Sequence, residues 1–354
     1  MEIESSLKKS AGPIISILLS FAIGAIAIFL GGFDPIETYR ALIFGTLGNV
    51  GGVSEVLVKT IPLTLTGLAA AVAFQCKIWN IGAEGQLILG AIFGTWAALS
   101  LPELPFLSLL AVLLMGFIGG SIWSATPALL KTKFGINEIV VTVMLNFTAL
   151  LILNYVVRGP LLDPNAIIGY SYPQSAKIPV SVQLPILLLG TRLHAGLLIA
   201  ILCVASIYLI MMKTPMGYEF RTIGANPRAA RYGGIDVTKN TLTVFLLSGG
   251  LAGLAGVMEI IGVNLRLMDG ISSNYGYLGV VVALLGRLHP VGVFLAALFL
   301  GFLIFGIQSA QRSVGLPVAF VIAFEGIVII CLLLGEYIQK KIERSGESEL
   351  HGQQ

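Results

Sequence analysis

Long apolar segments separated by short polar connectors follow one another along the whole chain. Windows of about nineteen residues predict ten membrane spans, at 13–31, 56–76, 83–100, 106–130, 138–157, 195–212, 242–262, 277–287, 291–308 and 317–337. At about 1.5 Å per residue, the segment 277–287 reaches only about half way through a bilayer. It is predicted to be a half-helix or part of a re-entrant pair. The predicted fold is an all-α, polytopic membrane bundle of about ten transmembrane helices.

The composition is that of a membrane protein, and it excludes a soluble enzyme and a nucleic-acid-binding protein. The 354 residues are 56% hydrophobic and 11% charged, with a mean hydropathy of +0.94, whereas soluble domains carry roughly 25% charged residues. The net charge is only +3 and no Lys or Arg run exceeds a pair, so a nucleic-acid partner is not expected. Among the 42 glycines, three pairs with four-residue spacing predict close helix packing in lipid; they are Gly90/Gly94, Gly116/Gly120 and Gly249/Gly253.

The positions of the basic residues predict how the chain is oriented across the membrane. Most of the 21 Lys and Arg residues fall on one side when the ten spans alternate, and loops rich in these residues are cytoplasmic. This predicts a cytoplasmic N-terminus at 1–12, a transmembrane domain at 13–337 and a cytoplasmic tail at 338–354, in the cell membrane. The loop 158–194 is predicted to be external and, because it holds five prolines, ordered. The loop 213–241 is predicted to be cytoplasmic.

Two parts of the chain resemble each other faintly. The stretches Gly67–Gly94 and Gly250–Gly286 each contain an apolar helix, a polar connector rich in Gly and Asn, and a second apolar helix. In the predicted topology their leading helices run in opposite directions. Inverted repeats with helices broken near the midplane are common in transporters, because unwound backbone is tolerated in lipid only where it lines a cavity or is buried in protein.

A polar break interrupts the apolar pattern between Lys77 and Gln86. Its side chains include Asn80 and Glu84. One interpretation is a turn followed by a helix whose first turn gains from the acid Glu84 near the positive end of the dipole. The other is a backbone break that lines a substrate path. The sequence leaves both open.

Other polar residues lie within or at the ends of predicted spans. Asn146 either forms an interhelical hydrogen bond or lines the substrate path. Glu325 is either a paired packing residue or a residue that lines the path, because an ionised carboxylate that faces lipid is costly. Lys59, Glu138 and Glu259 are near span ends and are expected to extend to the interface. The candidate path residues are therefore Asn80, Glu84, Gln86, Asn146 and Glu325.

The loop 213–241 contains a short predicted helix. Asn226 suits the N-cap, Pro227 suits the first helical position, and Gly233 or Gly234 permits a left-handed exit. About two turns of helix are marginal alone, so the segment is expected to dock, either into a protein groove or on anionic headgroups. The residues assigned to it are Gly224, Ala225, Asn226, Arg228, Ala229, Arg231 and Gly233.

Motifs for covalent chemistry are missing from the sequence. It contains no phosphate-binding G-x-x-x-x-G-K-[ST] loop, no H-E-x-x-H metal helix and no G-x-S-x-G nucleophile elbow, and its three histidines lie far apart. No cofactor, no metal and no catalytic residue are predicted. If transport uses ATP, another subunit must bind it.

Three motifs carry a resemblance to a known family. The segments 80–86 (NIGAEGQ), 135–139 (GINEI) and 224–235 (GANPRAARYGGI) resemble the permease subunits of ABC importers for simple sugars and nucleosides, which are related to ribose and branched-chain amino-acid permeases. The similarity runs from about residue 50 to residue 337. It implies a second permease subunit, identical or different, cytoplasmic ABC ATPases and an external substrate-binding lipoprotein. It also implies that Asn226–Gly233 is the coupling helix that sits in the ATPase groove.

The resulting hypothesis is ATP-driven import by alternating access. No acidic or basic cluster is evident in the spans, so a neutral polar solute is expected, a nucleoside or a simple sugar. The alternatives are a branched-chain amino-acid permease, an ion-coupled secondary transporter that uses acids such as Glu325, and a membrane enzyme or scaffold.

Overall fold

The computed structural model describes residues 19–102, 104, 106–165, 172–331 and 334–335, and no β-strand occurs among them. A 3₁₀ turn spans Val180–Val182 and a π-helix spans Ile260–Asn264. The α-helices are α1 Leu19–Leu30, α2 Pro35–Leu47, α3 Val50–Gln75, α4 Ala83–Ser100, α5 Leu107–Phe134, α6 Glu138–Arg158, α7 Gly196–Lys213, α8 Pro215–Ala225, α9 Pro227–Tyr232, α10 Val237–Glu259, α11 Tyr275–Leu285, α12 Pro290–Val314 and α13 Val318–Cys331.

The polytopic helical fold is confirmed, but the count of ten spans is not. Among the described residues, six helices are long and apolar enough to cross a membrane: α3, α5, α6, α7, α10 with its π-helical extension, and α12. Helices α1, α11 and α13 are apolar but shorter. The short helix predicted at 277–287 is α11. Parts of the first and last predicted spans, and both predicted terminal segments 1–12 and 338–354, lie outside the described residues.

Two helices that hydropathy did not predict are α2 and α8, and local start signals explain both. Asp34 accepts hydrogen bonds from the N–H groups of Ile36 and Glu37 at the start of α2, and Thr214 accepts one from Gly217 at the start of α8. Each helix has proline in its first turn. A side-chain cap followed by proline is a strong helix start.

The chain forms two compact units. One is Ser54–Gly301, and the other is built from the two ends of the described chain, up to Val53 and from Phe302. Within Ser54–Gly301, α10 packs against α4 and α5 through glycines. A Cβ added to Gly90 would meet the backbone of Gly253, and one added to Gly120 would meet the backbone of Gly249. The predicted small-residue pairs therefore allow the close helix contact that replaces the hydrophobic effect in lipid.

The described part of the loop 158–194 is hydrogen-bonded to another segment of the chain. Its backbone joins the segment after α10, because Ser175 N–H donates to the Leu267 carbonyl at 2.9 Å and Ile178 N–H donates to the Leu265 carbonyl at 2.9 Å. Asp163 pairs with Arg266 at 2.6 Å, and that hydrogen bond lowers the pKa of the Asp163 carboxyl.

Candidate functional site

Two helices meet with their N-termini at the polar break. Helix α4 begins at Ala83 and α11 begins at Tyr275, and Oε2 of Glu84 accepts a hydrogen bond from Gly276 N–H at 2.8 Å. The same carboxylate accepts from the Ser272 hydroxyl and from a second backbone N–H of α11. Helix N-termini carry partial positive charge and unpaired N–H groups. The buried carboxylate of Glu84 therefore stabilises both ends at once.

Asn80 and Gln86 form a reciprocal amide pair beside this junction. Oδ1 of Asn80 accepts from Nε2 of Gln86 at 3.0 Å, and Nδ2 of Asn80 donates to Oε1 of Gln86 at 3.1 Å. Nδ2 of Asn80 also donates to the Ser248 hydroxyl on α10 at 2.9 Å, and Gly82 N–H donates to Oδ1 of Asn80 at 3.0 Å. The pair fixes the path of the backbone between α3 and α4.

Asn146 on α6 also bonds to the backbone around the polar break. Its Oδ1 accepts from Gly85 N–H at 2.9 Å, and its Nδ2 donates to the Ile81 carbonyl at 3.0 Å and to the Tyr277 hydroxyl at 3.2 Å. We call Asn80, Glu84, Gln86, Asn146 and Ser248 the break network. Each of these side chains is at most 2% exposed. The structure thus brings four of the five candidate path residues together, bonded to other protein groups.

The fifth candidate, Glu325, belongs to the other compact unit. It lies on α13, where it is half-buried.

A separate cavity of about 170 Å³ is lined by charged side chains. Glu55 lies on α3, and Arg192 lies in the loop before α7. Nε of Arg192 donates to Oε1 of Glu55 at 2.8 Å, and Nη2 donates to Oε2 at 2.5 Å. This is the bidentate geometry of strong ion pairs, and the hydrogen bond to Glu55 raises the pKa of Arg192. We call this space the charged cavity; its other polar lining residues are Lys59, Glu259, Asn264, Asp269, Ser273 and Tyr275.

The charged cavity corrects one expectation, because Glu259 is only 6% exposed and does not extend to the interface. The charges of the cavity gather where predicted spans end: Glu55, Arg192 and Asp269 lie outside the spans, and Lys59 and Glu259 lie inside them. Glu138, at the start of α6, pairs with Lys131 and accepts from Trp79 N–H at 3.4 Å. Sequence reasoning missed the cavity because Glu55 and Arg192 are 137 positions apart. One signal was available, since Glu55 and Lys59 share a face of α3.

Within the residues that the structure describes, no three His, Cys, Asp or Glu side chains form a group that could hold a metal ion.

The predicted short helix in the loop 213–241 is α9. Oδ1 of Asn226 accepts from the N–H groups of Arg228 at 3.0 Å and Ala229 at 3.2 Å, and Pro227 occupies the first turn. The left-handed exit residue is Gly234, with φ of +84°, and not Gly233. Arg228, Ala229 and Arg231 are exposed, while Ala230 is buried. Helix α9 has six residues, slightly shorter than expected.

Helix α8 connects this short helix to the polar break. Phe220 on α8 is fully buried, and its carbonyl accepts from Sγ of Cys76 at 3.3 Å. Gly224, the predicted first residue of the segment, is buried so closely against the Gln75 carbonyl that a side chain would not fit. Gln75 and Cys76 lie between the end of α3 and the break. A displacement of α8 and α9 would therefore act directly on the end of α3, just before the break.

Comparison with known proteins places these features in a family. The model for the permease component of the branched-chain amino acid transport system matches residues 52–333. The chain is 36% identical over 339 residues to the glucose ABC transporter permease protein TsgB13 of Haloferax volcanii, covering 93% of this chain and 88% of that protein. It is 33% identical over 339 residues to the guanosine ABC transporter permease protein NupP of Bacillus subtilis, covering 94% and 97%.

A third relative is the nucleoside ABC transporter permease protein NupB of Lactococcus lactis, 31% identical over 317 residues, which cover 88% of this chain and 86% of that protein. No solved structure matches the chain. With its helical spans, its paired helix N-termini and a family match over most of its length, the chain belongs to the family of ABC transporter permease components of the branched-chain amino acid transport type.

Proposed function

We propose that this permease imports a neutral, hydroxyl-bearing solute. A nucleoside is the first candidate, and a simple sugar is the second. The observation that carries the proposal is the similarity over nearly the whole chain to permeases named for guanosine and for glucose. These two solutes have different ring systems, but both present adjacent hydroxyl groups on a sugar ring. The resemblance in the motifs 80–86 and 224–235 supports the same branch.

We further propose ten crossings in the cell membrane, with both termini in the cytoplasm. Helices α1, α4, α11 and α13 would join the six long apolar helices to give this number. An inverted repeat is supported by the two matching segments, α3–break–α4 and α10–break–α11, whose second helices meet N-terminus to N-terminus. Broken helices of this kind are a frequent transporter design.

In this proposal the exposed basic face of α9 is the ATPase-coupling site, formed by the segment Gly224–Gly233. A cytoplasmic ABC ATPase binds and hydrolyses ATP, and this chain supplies no ATPase site. The complete importer contains a second permease subunit, identical or different, and an external binding lipoprotein. Closure of the ATPase dimer moves α9, and the contacts of α8 with Gln75 and Cys76 transmit the motion to the break for alternating access.

The coupling proposal is tested by co-purification of the permease with its ATPase. Replacing Arg228 and Arg231 by glutamate reverses the charge of α9 without touching a buried residue, so ATPase recovery should fall about tenfold or more, in line with loss of close charge pairs. The matched control is Lys239→Glu, which reverses the charge of an exposed residue in the loop 213–241 but outside α9. Full ATPase recovery with the double variant would show that α9 is not the docking element.

A further inference from the structure

The charged cavity has room for more than ordered water. A site for one water needs about 10–15 Å³ of such volume, and the cavity measures about 170 Å³. That is sufficient for one sugar ring with its hydroxyl groups. It is small for a purine and a ribose together. The sugar ring is also the part that guanosine and glucose have in common.

Charges of both signs line this space. The carboxylate of Glu55 is held by Arg192, and Lys59 and Glu259 line the same space. Asp269 adds a further carboxylate to the lining. A cation or an anion entering the cavity would meet a like charge in the lining, which is unfavourable. A neutral group that both donates and accepts hydrogen bonds meets partners of both kinds there.

Glu259 and Asn264 place an acceptor and a donor side by side in the lining. Nδ2 of Asn264 lies 3.3 Å from Oε2 of Glu259 and 3.3 Å from the Glu259 carbonyl. Both distances are at the long end for hydrogen bonds of this type. One hydroxyl of a vicinal diol would donate to the carboxylate, and its neighbour would accept from the amide. Donors and acceptors placed in this way discriminate strongly against analogues without the hydroxyl group.

We propose that the charged cavity is the site where the permease itself recognises the vicinal hydroxyl groups of its solute, with Glu259 and Asn264 as the specificity-determining residues. This inference rests on the proposed function, because it requires a hydroxyl-bearing solute. It adds a selectivity step within the permease, separate from that of the binding lipoprotein.

The test is ATP-driven uptake by the complete importer in proteoliposomes, with one binding protein throughout. Two solute pairs are compared: guanosine with 2′,3′-dideoxyguanosine, and glucose with 2-deoxyglucose. The ratio of kcat/KM within each pair measures hydroxyl recognition. The contribution of the binding protein to that ratio cancels when variants are compared. Glu259→Gln should lower the preference for the hydroxylated solute about tenfold, the usual effect of losing a hydrogen bond to a charged group.

A second variant and a control complete the experiment. Asn264→Ala keeps the Glu259 carboxylate and should lower the preference for the hydroxylated solute several-fold. If Glu259→Gln abolishes uptake of every probe, the result for Asn264→Ala decides the test. Glu37→Gln, an exposed carboxylate on α2, should leave the ratio unchanged. Unchanged ratios in Asn264→Ala, with uptake retained, would overturn the inference and leave the proposed function standing. Absence of guanosine and glucose uptake by the wild type would overturn both.

Discussion

The break network and the charged cavity are two polar regions within the same compact unit, and their polar groups are used differently. In the break network, the side chains of Asn80, Gln86 and Asn146 bond to one another or to backbone of broken helices. In the charged cavity, Arg192 pairs with Glu55 and Glu259 contacts Asn264, but all four side chains also line a space of about 170 Å³. Buried polar groups are costly unless they are bonded, so the first region holds the backbone break in place. The second region offers charges and hydrogen-bond groups to a solute.

This difference indicates that a polar residue in a membrane span is not by itself evidence for a solute path. Asn80 and Glu84 match the sequence signature of a path, yet their hydrogen bonds are satisfied within the protein. The comparison leads to opposite expectations for the two regions. Changes in the break network should lower stability, and changes in the charged cavity should alter transport while the fold persists.

The largest expected effect is on stability, from Glu84→Ala. The substitution leaves the buried N–H of Gly276, at the N-terminus of α11, without its acceptor, so we expect the free energy of unfolding to fall by about 3 kcal/mol. The midpoint of thermal unfolding in detergent measures the change. Glu37→Ala removes an exposed carboxylate and should be nearly neutral. Equal midpoints for the two variants would contradict a structural role for Glu84.

The second prediction is a loss of stability with acid that depends on His194. Burial lowers the pKa of His194 to about 4, and its Nδ1 accepts from Gly196 N–H at 3.1 Å, which requires the neutral ring. The unfolded chain binds the proton near pH 6.5, so this contribution is complete above that value and is lost as the pH falls towards 4. From pH 7 to pH 5 the expected loss is on the order of 1–2 kcal/mol.

His194→Asn should flatten that pH dependence, as measured by thermal midpoints across the same range. The loop that carries His194 also carries Arg192, so acid should loosen this wall of the charged cavity first. If the wild type and His194→Asn lose stability in parallel between pH 7 and pH 5, the buried neutral histidine is not the cause.

The smallest effect on stability is expected for Arg192→Ala. The Arg192 side chain is 61% exposed, and ion pairs of this kind contribute about 1 kcal/mol or less. Uptake should nevertheless fall several-fold, because the bidentate pair with Glu55 shapes the charged cavity. Exchanging the two residues, with Glu55→Arg and Arg192→Glu together, should restore part of the uptake. Unaltered uptake in Arg192→Ala would remove this pair from the solute path.

Local features of the sequence predicted the parts of the fold that depend on neighbouring residues. Helix α9 follows from Asn226, Pro227 and Gly234 because capping and left-handed exit involve residues only a few positions apart. The short helix α11 follows from the length of its apolar run. Helix α2 was missed because windows of span length pass over a helix of 13 residues, although Asp34 and Pro35 mark its start.

The partners in the two polar regions could not be predicted, because they depend on distant contacts. Asn146 reaches Gly85 from 61 positions away, and Asn80 reaches Ser248 from 168 positions away. A hydropathy pattern gives the span that a residue occupies but not the helix that it faces. The sequence therefore identified four members of the break network, without showing which groups they bond to, and overlooked the charged cavity.

The most direct test of this account is which side of the membrane α9 faces. Ala229→Cys on α9 and Leu189→Cys, at a position 95% exposed in the loop before α7, are made in a chain whose native cysteines are replaced by alanine. Intact cells are then treated with a maleimide that cannot cross lipid. The account predicts labelling at residue 189 and, at residue 229, labelling only after the membrane is permeabilised. Labelling of residue 229 in intact cells would contradict it.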